Sequence, residues 1–244
     1  MKHIRILVYL LLTASVFSCG KNFGDLNTDP NNPSEVPPAF LLTNAQKSFA
    51  DQNISGSFYA GLWAQYYAQN NYTDVSRYAY YTFFWAWYYS EILEDLREVQ
   101  RIVSNSSEAS SATSKNQIAI AKTLEVAVFH DLTDVFGPVP YTEALLADQN
   151  RTPQYNNQQT IYQGLLRDLK AAIAQMDESE GSFGAADIIY GGDVVRWKRF
   201  AQSLRMRIAL RMADADEAMA RAEVEAAAAG AFSSNADNAA FKYL

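Results

Sequence analysis

Apolar residues recur every three or four positions along most of this 244-residue chain, which is the period of a helix with one buried face. No run alternates apolar and polar residues for long enough to predict a sheet. The pattern therefore predicts a mainly α fold. The predicted helices cover residues 39–50, 57–69, 82–103, 115–135, 158–176, 194–212 and 215–229.

The predicted helices follow one another as pairs joined by irregular loops. Segments 39–50 and 57–69 form the first pair, and Gly137 with Pro138 ends the helix that begins at 115. Because each helix has a single apolar stripe to bury on a neighbour, the pattern favours a tetratricopeptide-like helical-repeat scaffold. Residues 239–244 are apolar and aromatic again, so we expect the domain over 39–244 to be incomplete at its C-terminus.

The first 18 residues have the features of a secretory signal. Lys2 and Arg5 precede an uncharged apolar run over 6–17, which is shorter than the roughly 20 residues that span a bilayer. Val16-Phe17-Ser18-Cys19 resembles a bacterial lipobox, in which the cysteine becomes the first mature residue and carries a diacylglycerol. We predict a lipoprotein signal peptide over 1–18 and lipid attachment at Cys19, with cleavage to an unlipidated secreted form as the alternative.

Residues 19–38 are rich in Gly, Asn, Asp and Pro, which predicts an extended tether. Asp25, Asn27 and Asp29 have the spacing that opens a calcium loop. Pro30 and Val36 stand where that loop needs a glycine and an acidic ligand, so we expect turns here rather than a cation site.

Composition excludes several kinds of protein. The formal net charge is −7, and it becomes −9 when cleavage removes Lys2 and Arg5, which argues against nucleic acid as a partner and suits a neutral ligand better than a polyanion. With one cysteine and two histidines, an internal disulfide, a cysteine-built zinc site and an iron–sulfur cluster are excluded. We expect no metal site and no cofactor.

Aromatic residues are concentrated between positions 58 and 89, where 15 of the chain's 32 lie. Most of them have helical spacing and are expected to pack in the core. This set comprises Phe58, Trp63, Tyr66, Tyr67, Phe84, Trp85, Trp87, Tyr88 and Tyr89.

Segment 70–81 differs because its aromatic residues alternate with Asn, Asp and Arg and follow no helical stripe. It predicts a loop whose rings and polar groups face a ligand, and a sugar ring suits this mixture because aromatic faces contact its C–H groups. A self-packed loop or a protein contact is the alternative. The candidate ligand-binding residues are Asn70, Asn71, Tyr72, Asp74, Arg77, Tyr78, Tyr80 and Tyr81.

We find no signature of catalysis. His130 lies within a predicted helix with no nucleophile motif beside it, so we expect a structural histidine. The basic residues of 194–212 are interpreted as a solvated face or as partners of acidic residues in the next helix, namely Asp214, Asp216, Glu217 and Glu223. No catalytic residue is predicted.

Three segments of the mature chain carry further motifs. FGDLNTDPNN occupies 23–32 after the lipobox cysteine, DVFGPVPYTEA occupies 134–144, and YGGD at 190–193 is followed by Trp197, Lys198, Phe200 and a run of arginines. In this order they resemble the SusD/RagB family of outer-membrane nutrient-binding lipoproteins of the Bacteroidetes.

The resemblance implies a non-catalytic protein, lipid-anchored at the cell surface on the outer membrane, that captures an oligosaccharide for a SusC-like TonB-dependent transporter. It also implies a tetratricopeptide-containing helical fold. From the residues alone, two other functions remain open: a protein- or peptide-binding helical-repeat module of the envelope, and, less favoured, a glycosidase.

Overall fold

The computed structural model describes residues 36–79, 85–146 and 149–243. The fold is helical, as the apolar stripes predict. Six helices follow in chain order within the described residues. They are α1 (Pro38–Trp63), α2 (Trp85–Trp87, a π-helical turn at Tyr88–Leu93, then Glu94–Ser104), α3 (Ala112–Phe136), α4 (Gln158–Gln175), α5 (Val194–Arg211) and α6 (Glu217–Ala228).

The predicted first helix pair is wrong. Residues 38–63 form one helix of 26 residues, and the chain leaves it only at Ala64. Gly56, at the predicted break, lies inside this helix. A glycine lowers helix propensity by about 1 kcal/mol without ending a helix that is otherwise supported by packing.

Each later helix begins at a polar cap that the sequence supplies. Ser111, Asn157, Asp193 and Asp216 each accept a hydrogen bond from the backbone N–H three residues ahead, at the starts of α3, α4, α5 and α6. Gly137, with φ +75°, ends α3 as predicted, because few other residues adopt that backbone angle without strain.

The core forms where successive helices pack on each other, from α1 on α2 through α5 on α6. Phe129 of α3 and Trp197 of α5 are among its largest fully buried side chains. The only sheet in the described residues is a two-residue antiparallel pair, β1 (Val139–Pro140) with β2 (Tyr155–Asn156). This pair places the segment after α3 beside the start of α2, where Tyr89 Oη donates a 2.6 Å hydrogen bond to the Pro140 carbonyl.

Candidate functional site

The segment after α1, residues 64–79, is named the aromatic loop. It has a strained backbone: Gln65, Tyr72 and Tyr78 have φ of 61°, 52° and 62°, and only one other non-glycine residue in the described chain, Leu145, has a positive φ. Each residue held in the left-handed region costs roughly 1–2 kcal/mol. Surrounding contacts must offset this strain, and strained backbone is concentrated at functional sites more often than elsewhere.

Hydrogen bonds within the aromatic loop hold this backbone. The Ser76 N–H and hydroxyl both donate to Gln69 Oε1 at 3.3 Å, and the Gln69 N–H donates to Ser76 Oγ at 3.2 Å. Tyr78 Oη donates to the Trp63 carbonyl and accepts from Gln65 Nε2, both at 3.1 Å. The loop is therefore organised by its own polar side chains.

Tyr67 folds back over the last turns of α1. Its hydroxyl lies 3.1 Å from the carbonyl oxygens of Ser57 and Phe58, and its ring is 6.0 Å from the Phe58 ring. Gly61 makes this possible, since a Cβ there would lie 2.6 Å from Tyr67 Cε1.

The expectation that the aromatic residues of 57–69 pack in the core is wrong for three of them. Tyr66 is 87% exposed, and Phe58 and Tyr67 are nearly half exposed. The reason is that the predicted second helix does not form: Phe58 lies on an exposed part of α1, and Tyr66 and Tyr67 follow the end of α1 in the aromatic loop.

The structure places the six described candidate residues on the surface of the aromatic loop. Tyr72 is 91% exposed and Tyr78 is 60% exposed. No hydrogen bond or ion pair within the described chain engages the side chains of Asn70, Asn71, Asp74 or Arg77, whereas Tyr78 is committed to bracing the loop. Tyr80 and Tyr81, the remaining candidates, lie outside the described residues.

A second feature, missed from the sequence, is a cleft of about 380 Å³ between α2 and the segment around β1, which we name the Trp85 cleft. It is lined by Trp85, Ala86, Tyr89, Ser90 and Glu94 of α2 and by Pro140, Ala144, Leu145 and Pro153. Trp85 and Tyr89 also pack against the core, as their i, i+4 spacing predicts, and they are partly buried rather than fully enclosed.

The aromatic residues that begin α2 divide between core and surface. Tyr88 is buried as expected, and its hydroxyl donates to Asp131 Oδ2 at 2.6 Å. Burial and this carboxylate raise the pKa of Tyr88. Trp87, which was also expected in the core, is 50% exposed, because it lies on the opposite side of the helix.

His130 lies in a buried polar cluster. Its Nε2 is 3.4 Å from Asp134 Oδ2 and makes no hydrogen bond in the described structure. Burial lowers the pKa of His130 to about 4, against the opposing effect of Asp134. Asp134 also accepts a hydrogen bond from the Tyr162 hydroxyl and pairs with Arg211. A neutral, enclosed imidazole of this kind is suited to packing.

The basic residues of α5 are largely paired, and the predicted pairing with the next helix is confirmed for one of the four named acidic residues. Among the four acidic residues named from the next helix, Glu223 pairs with Arg205. The other ion pairs of α5 are Lys198–Glu178, Arg199–Asp237 and Arg211–Asp134.

The turn before α5 is ordered around one buried carboxylate, that of Asp187. Its two oxygens accept from Gln46 Nε2 of α1 at 2.8 Å, Trp197 Nε1 of α5 at 2.6 Å and three backbone N–H groups of residues 189–192. The motif at 190–193 is thereby fixed to two helices.

No three His, Cys, Asp or Glu side chains of residues 36–79, 85–146 and 149–243 are grouped so that they could hold a metal ion. The same part of the chain contains no helix long and apolar enough to cross a membrane. Cys19, the signal over 1–18, and Asp25, Asn27 and Asp29 lie outside the described residues.

Comparison with known proteins gives one family. A SusD-like family model described as "Starch-binding associating with outer membrane" matches residues 30–244. Comparison with curated protein sequences gives no significant match.

Solved structures with the same fold include a chitin-binding protein, with 30% identity and a TM-score of 0.71 over 83% of this chain. A SusD homologue from Bacteroides uniformis has 28% identity and a TM-score of 0.56 over 66% of the chain. A SusD/RagB family protein from Bacteroides thetaiotaomicron has 22% identity and a TM-score of 0.69 over 85%. The chain covers 45%, 34% and 45% of these three proteins respectively, which is less than half of each.

Proposed function

This chain belongs to the SusD-like family, and we propose that it binds an uncharged glycan at the aromatic loop as a non-catalytic, lipid-anchored protein of the outer membrane. The observation that carries the proposal is the surface of the aromatic loop. It presents Tyr72 fully to solvent beside the amides of Asn70 and Asn71, none of which has a hydrogen-bond partner in the described chain. Aromatic faces with nearby amides are the groups that contact sugar C–H faces and hydroxyls.

The charge distribution supports an uncharged ligand. Residues 52–73 contain no charged side chain and no histidine, although the whole chain has a net charge of −7. A site for uronates or sulfated sugars would need clustered Arg or Lys, and Arg77 is the only basic residue between positions 48 and 96.

Chitin-type oligosaccharides are the first ligands to test. The chitin-binding protein, at 30% identity, supports this choice, and a starch-type oligosaccharide is the second choice because of the family's description.

We further propose that Cys19 carries the lipid anchor and that the protein delivers its glycan to a SusC-like TonB-dependent transporter at the cell surface. Family membership supports the partner, and the lipobox-like sequence ahead of Cys19 supports the anchor. The proposal keeps the domain division predicted from the sequence. Residues 1–18 are the signal peptide, 19–38 the tether and 39–244 the helical binding domain.

The test is calorimetric titration of the purified chain with chitohexaose and maltohexaose, repeated with Tyr72→Ala. We expect the variant to bind about fivefold more weakly, since one exposed stacking contact contributes about 1 kcal/mol. Its Tm should be unchanged, because the Tyr72 side chain contacts little of the protein.

Phe40→Ala is the matched control, because Phe40 is an exposed aromatic residue at the other end of α1. It should bind as the original chain does. Equal affinity of Tyr72→Ala and Phe40→Ala would remove the aromatic loop as the site, and failure to bind any neutral glycan on an array would favour a protein- or peptide-binding function instead.

A further inference from the structure

The Trp85 cleft shares no residue with the aromatic loop. Its lining is largely aromatic and apolar and includes Trp85, Tyr89, Pro140 and Pro153. The Tyr155 ring lies beyond Trp85 with a centroid separation of 6.1 Å and an angle of 31° between the ring planes. The two rings thus face in similar directions, and Tyr155 is 62% exposed.

The cleft is held rigid by contacts that do not use its open face. Tyr89 donates its hydroxyl to the Pro140 carbonyl at 2.6 Å, and its ring packs edge-on to Phe129 at 6.1 Å and to Trp85 at 5.3 Å. The Asn156 side chain accepts hydrogen bonds from the N–H groups of residues 141 and 142, which fixes the strand bearing Tyr155. A preorganised aromatic surface loses little conformational entropy when a ligand binds.

Besides Tyr89, two polar side chains line the cleft, Ser90 and Glu94, and the Ser90 hydroxyl is bonded to the Ala86 carbonyl and to Glu91. Glu94 is exposed, and its carboxylate makes no hydrogen bond or ion pair in the described chain. It can accept hydrogen bonds from hydroxyl groups, and as the only ionisable lining group besides the committed Tyr89 it would repel an anionic ligand. An open aromatic surface with one carboxylate among its lining residues matches a ring that has an apolar face and an outer face that stays hydrated.

We propose that the Trp85 cleft is a second glycan subsite, in which one uncharged sugar ring stacks against the aromatic surface that Trp85 and Tyr155 form together and donates a hydroxyl hydrogen bond to Glu94. This proposal rests on the proposed glycan-binding function and adds a second contact to it. An apolar side chain of a protein partner is the competing occupant, and the test separates the two.

The test records the indole N–H resonances of the full chain by NMR during titration with chitohexaose, maltohexaose and oligogalacturonate of similar length. The Trp85 signal is assigned by its loss in Trp85→Phe. We expect it to shift saturably with a neutral hexasaccharide and not with the oligogalacturonate. The buried Trp197 provides a signal that should not move.

Two variants then test the contacts by calorimetry. Tyr155→Ala and Glu94→Gln should each weaken binding of the neutral hexasaccharide about three- to tenfold, while Glu91→Gln, an exposed carboxylate one turn earlier that does not line the cleft, should not. Both substitutions are at exposed positions, so circular dichroism and Tm should match those of the original chain.

Three results overturn the subsite. If the hexasaccharide binds and Tyr72→Ala weakens it while the Trp85 signal and Tyr155→Ala binding are unchanged, the proposed function stands and the subsite fails. If no neutral glycan binds, both fail together. If a capped proline-rich peptide shifts the Trp85 signal and no glycan does, the cleft belongs to a protein partner.

Discussion

At the scale of single residues, Asp187 connects three parts of the fold through hydrogen bonds. Its buried carboxylate accepts five hydrogen bonds, which come from α1, from the turn at 189–192 and from α5. Because all five partners are donors, a carboxylate is the only short side chain whose two oxygens can satisfy them. The identity of this residue is therefore set by structure.

We expect Asp187→Asn to lower the free energy of unfolding by about 2–3 kcal/mol. The asparagine amide replaces one acceptor oxygen with an NH2 group, so buried N–H donors lose their acceptor. For a chain of this size the loss corresponds to a decrease in Tm of about 5–10 °C. The matched control is Asp193→Asn, since Asp193 is exposed and caps α5, where asparagine serves equally well. A Tm for Asp187→Asn as high as that of the control would contradict this role.

His130 gives the molecule a specific dependence on pH. Burial lowers its pKa to about 4 in the folded chain, compared with about 6.5 when unfolded, so the unfolded state binds more protons between these values. Stability should therefore fall as the pH is lowered from about 7 to about 4, by up to about 3 kcal/mol from this group. Asp131, Asp134, Arg207 and Arg211 act on the same cluster, so the effect is measured as a difference.

The measurement compares Tm against pH for the original chain and for His130→Gln. The variant should lose part of the slope between pH 4 and pH 7, while the slope contributed by the neighbouring carboxylates remains. Parallel curves for the two proteins would mean that His130 does not titrate as burial requires.

At the scale of elements, the sequence predicted where helices lie better than where they stop. The stripes through α3, α4 and α5 fixed those helices to within about three residues, since each is bounded by a polar cap or a glycine. For α1 the prediction of two helices is wrong, because residues 51–56, which include one large apolar residue, Ile54, continue the helix.

The two glycines of α1 test this interpretation as a pair. Gly56 has open space where a Cβ would project, so Gly56→Ala should raise the free energy of unfolding by about 0.5–1 kcal/mol through helix propensity. Gly61→Ala gains the same propensity but must displace the Tyr67 ring and its hydrogen bonds to the Ser57 and Phe58 carbonyls.

We therefore expect Gly61→Ala to be less stable than Gly56→Ala by about 1–2 kcal/mol in urea unfolding. The near-ultraviolet circular dichroism of Gly61→Ala should also change, because Tyr67 leaves its fixed position. Equal stabilisation by both substitutions would show that Tyr67 does not rest on α1.

One part of the candidate site could be predicted from the sequence and the other could not. The aromatic loop could be predicted from the sequence because its polar and aromatic residues are contiguous and have no helical spacing. The Trp85 cleft joins α2 to residues near 140 and 153, and only the β1–β2 pairing brings these together. The exposure of Phe58 and Tyr66 could not be predicted from the sequence either. Helical spacing does not show whether a face is buried, nor that α1 ends at Trp63, before Tyr66.

At the scale of the whole molecule, the charged side chains are sparse around the proposed aromatic loop site. The chain has a net charge of −7, yet residues 52–90 contain only Asp74 and Arg77 as charged side chains. Charge repulsion therefore opposes association between copies of the chain, while the aromatic loop stays nearly neutral and the Trp85 cleft has the single carboxylate of Glu94. If the proposed function holds, binding of an uncharged glycan at the aromatic loop should not depend on salt concentration.

The proposed anchor determines where that capture takes place, and Cys19→Ala tests it. Each buried methylene of an acyl chain contributes about 0.8 kcal/mol of membrane affinity, so a diacylglycerol with a further acyl chain holds a protein durably, whereas one chain does not. The original chain should remain with membranes through a high-salt wash and should incorporate labelled palmitate. Cys19→Ala should lose the label and the membrane association, while Ser18→Ala, which keeps the cysteine, should retain both. A Cys19→Ala protein that stays with membranes would mean that another contact holds it there.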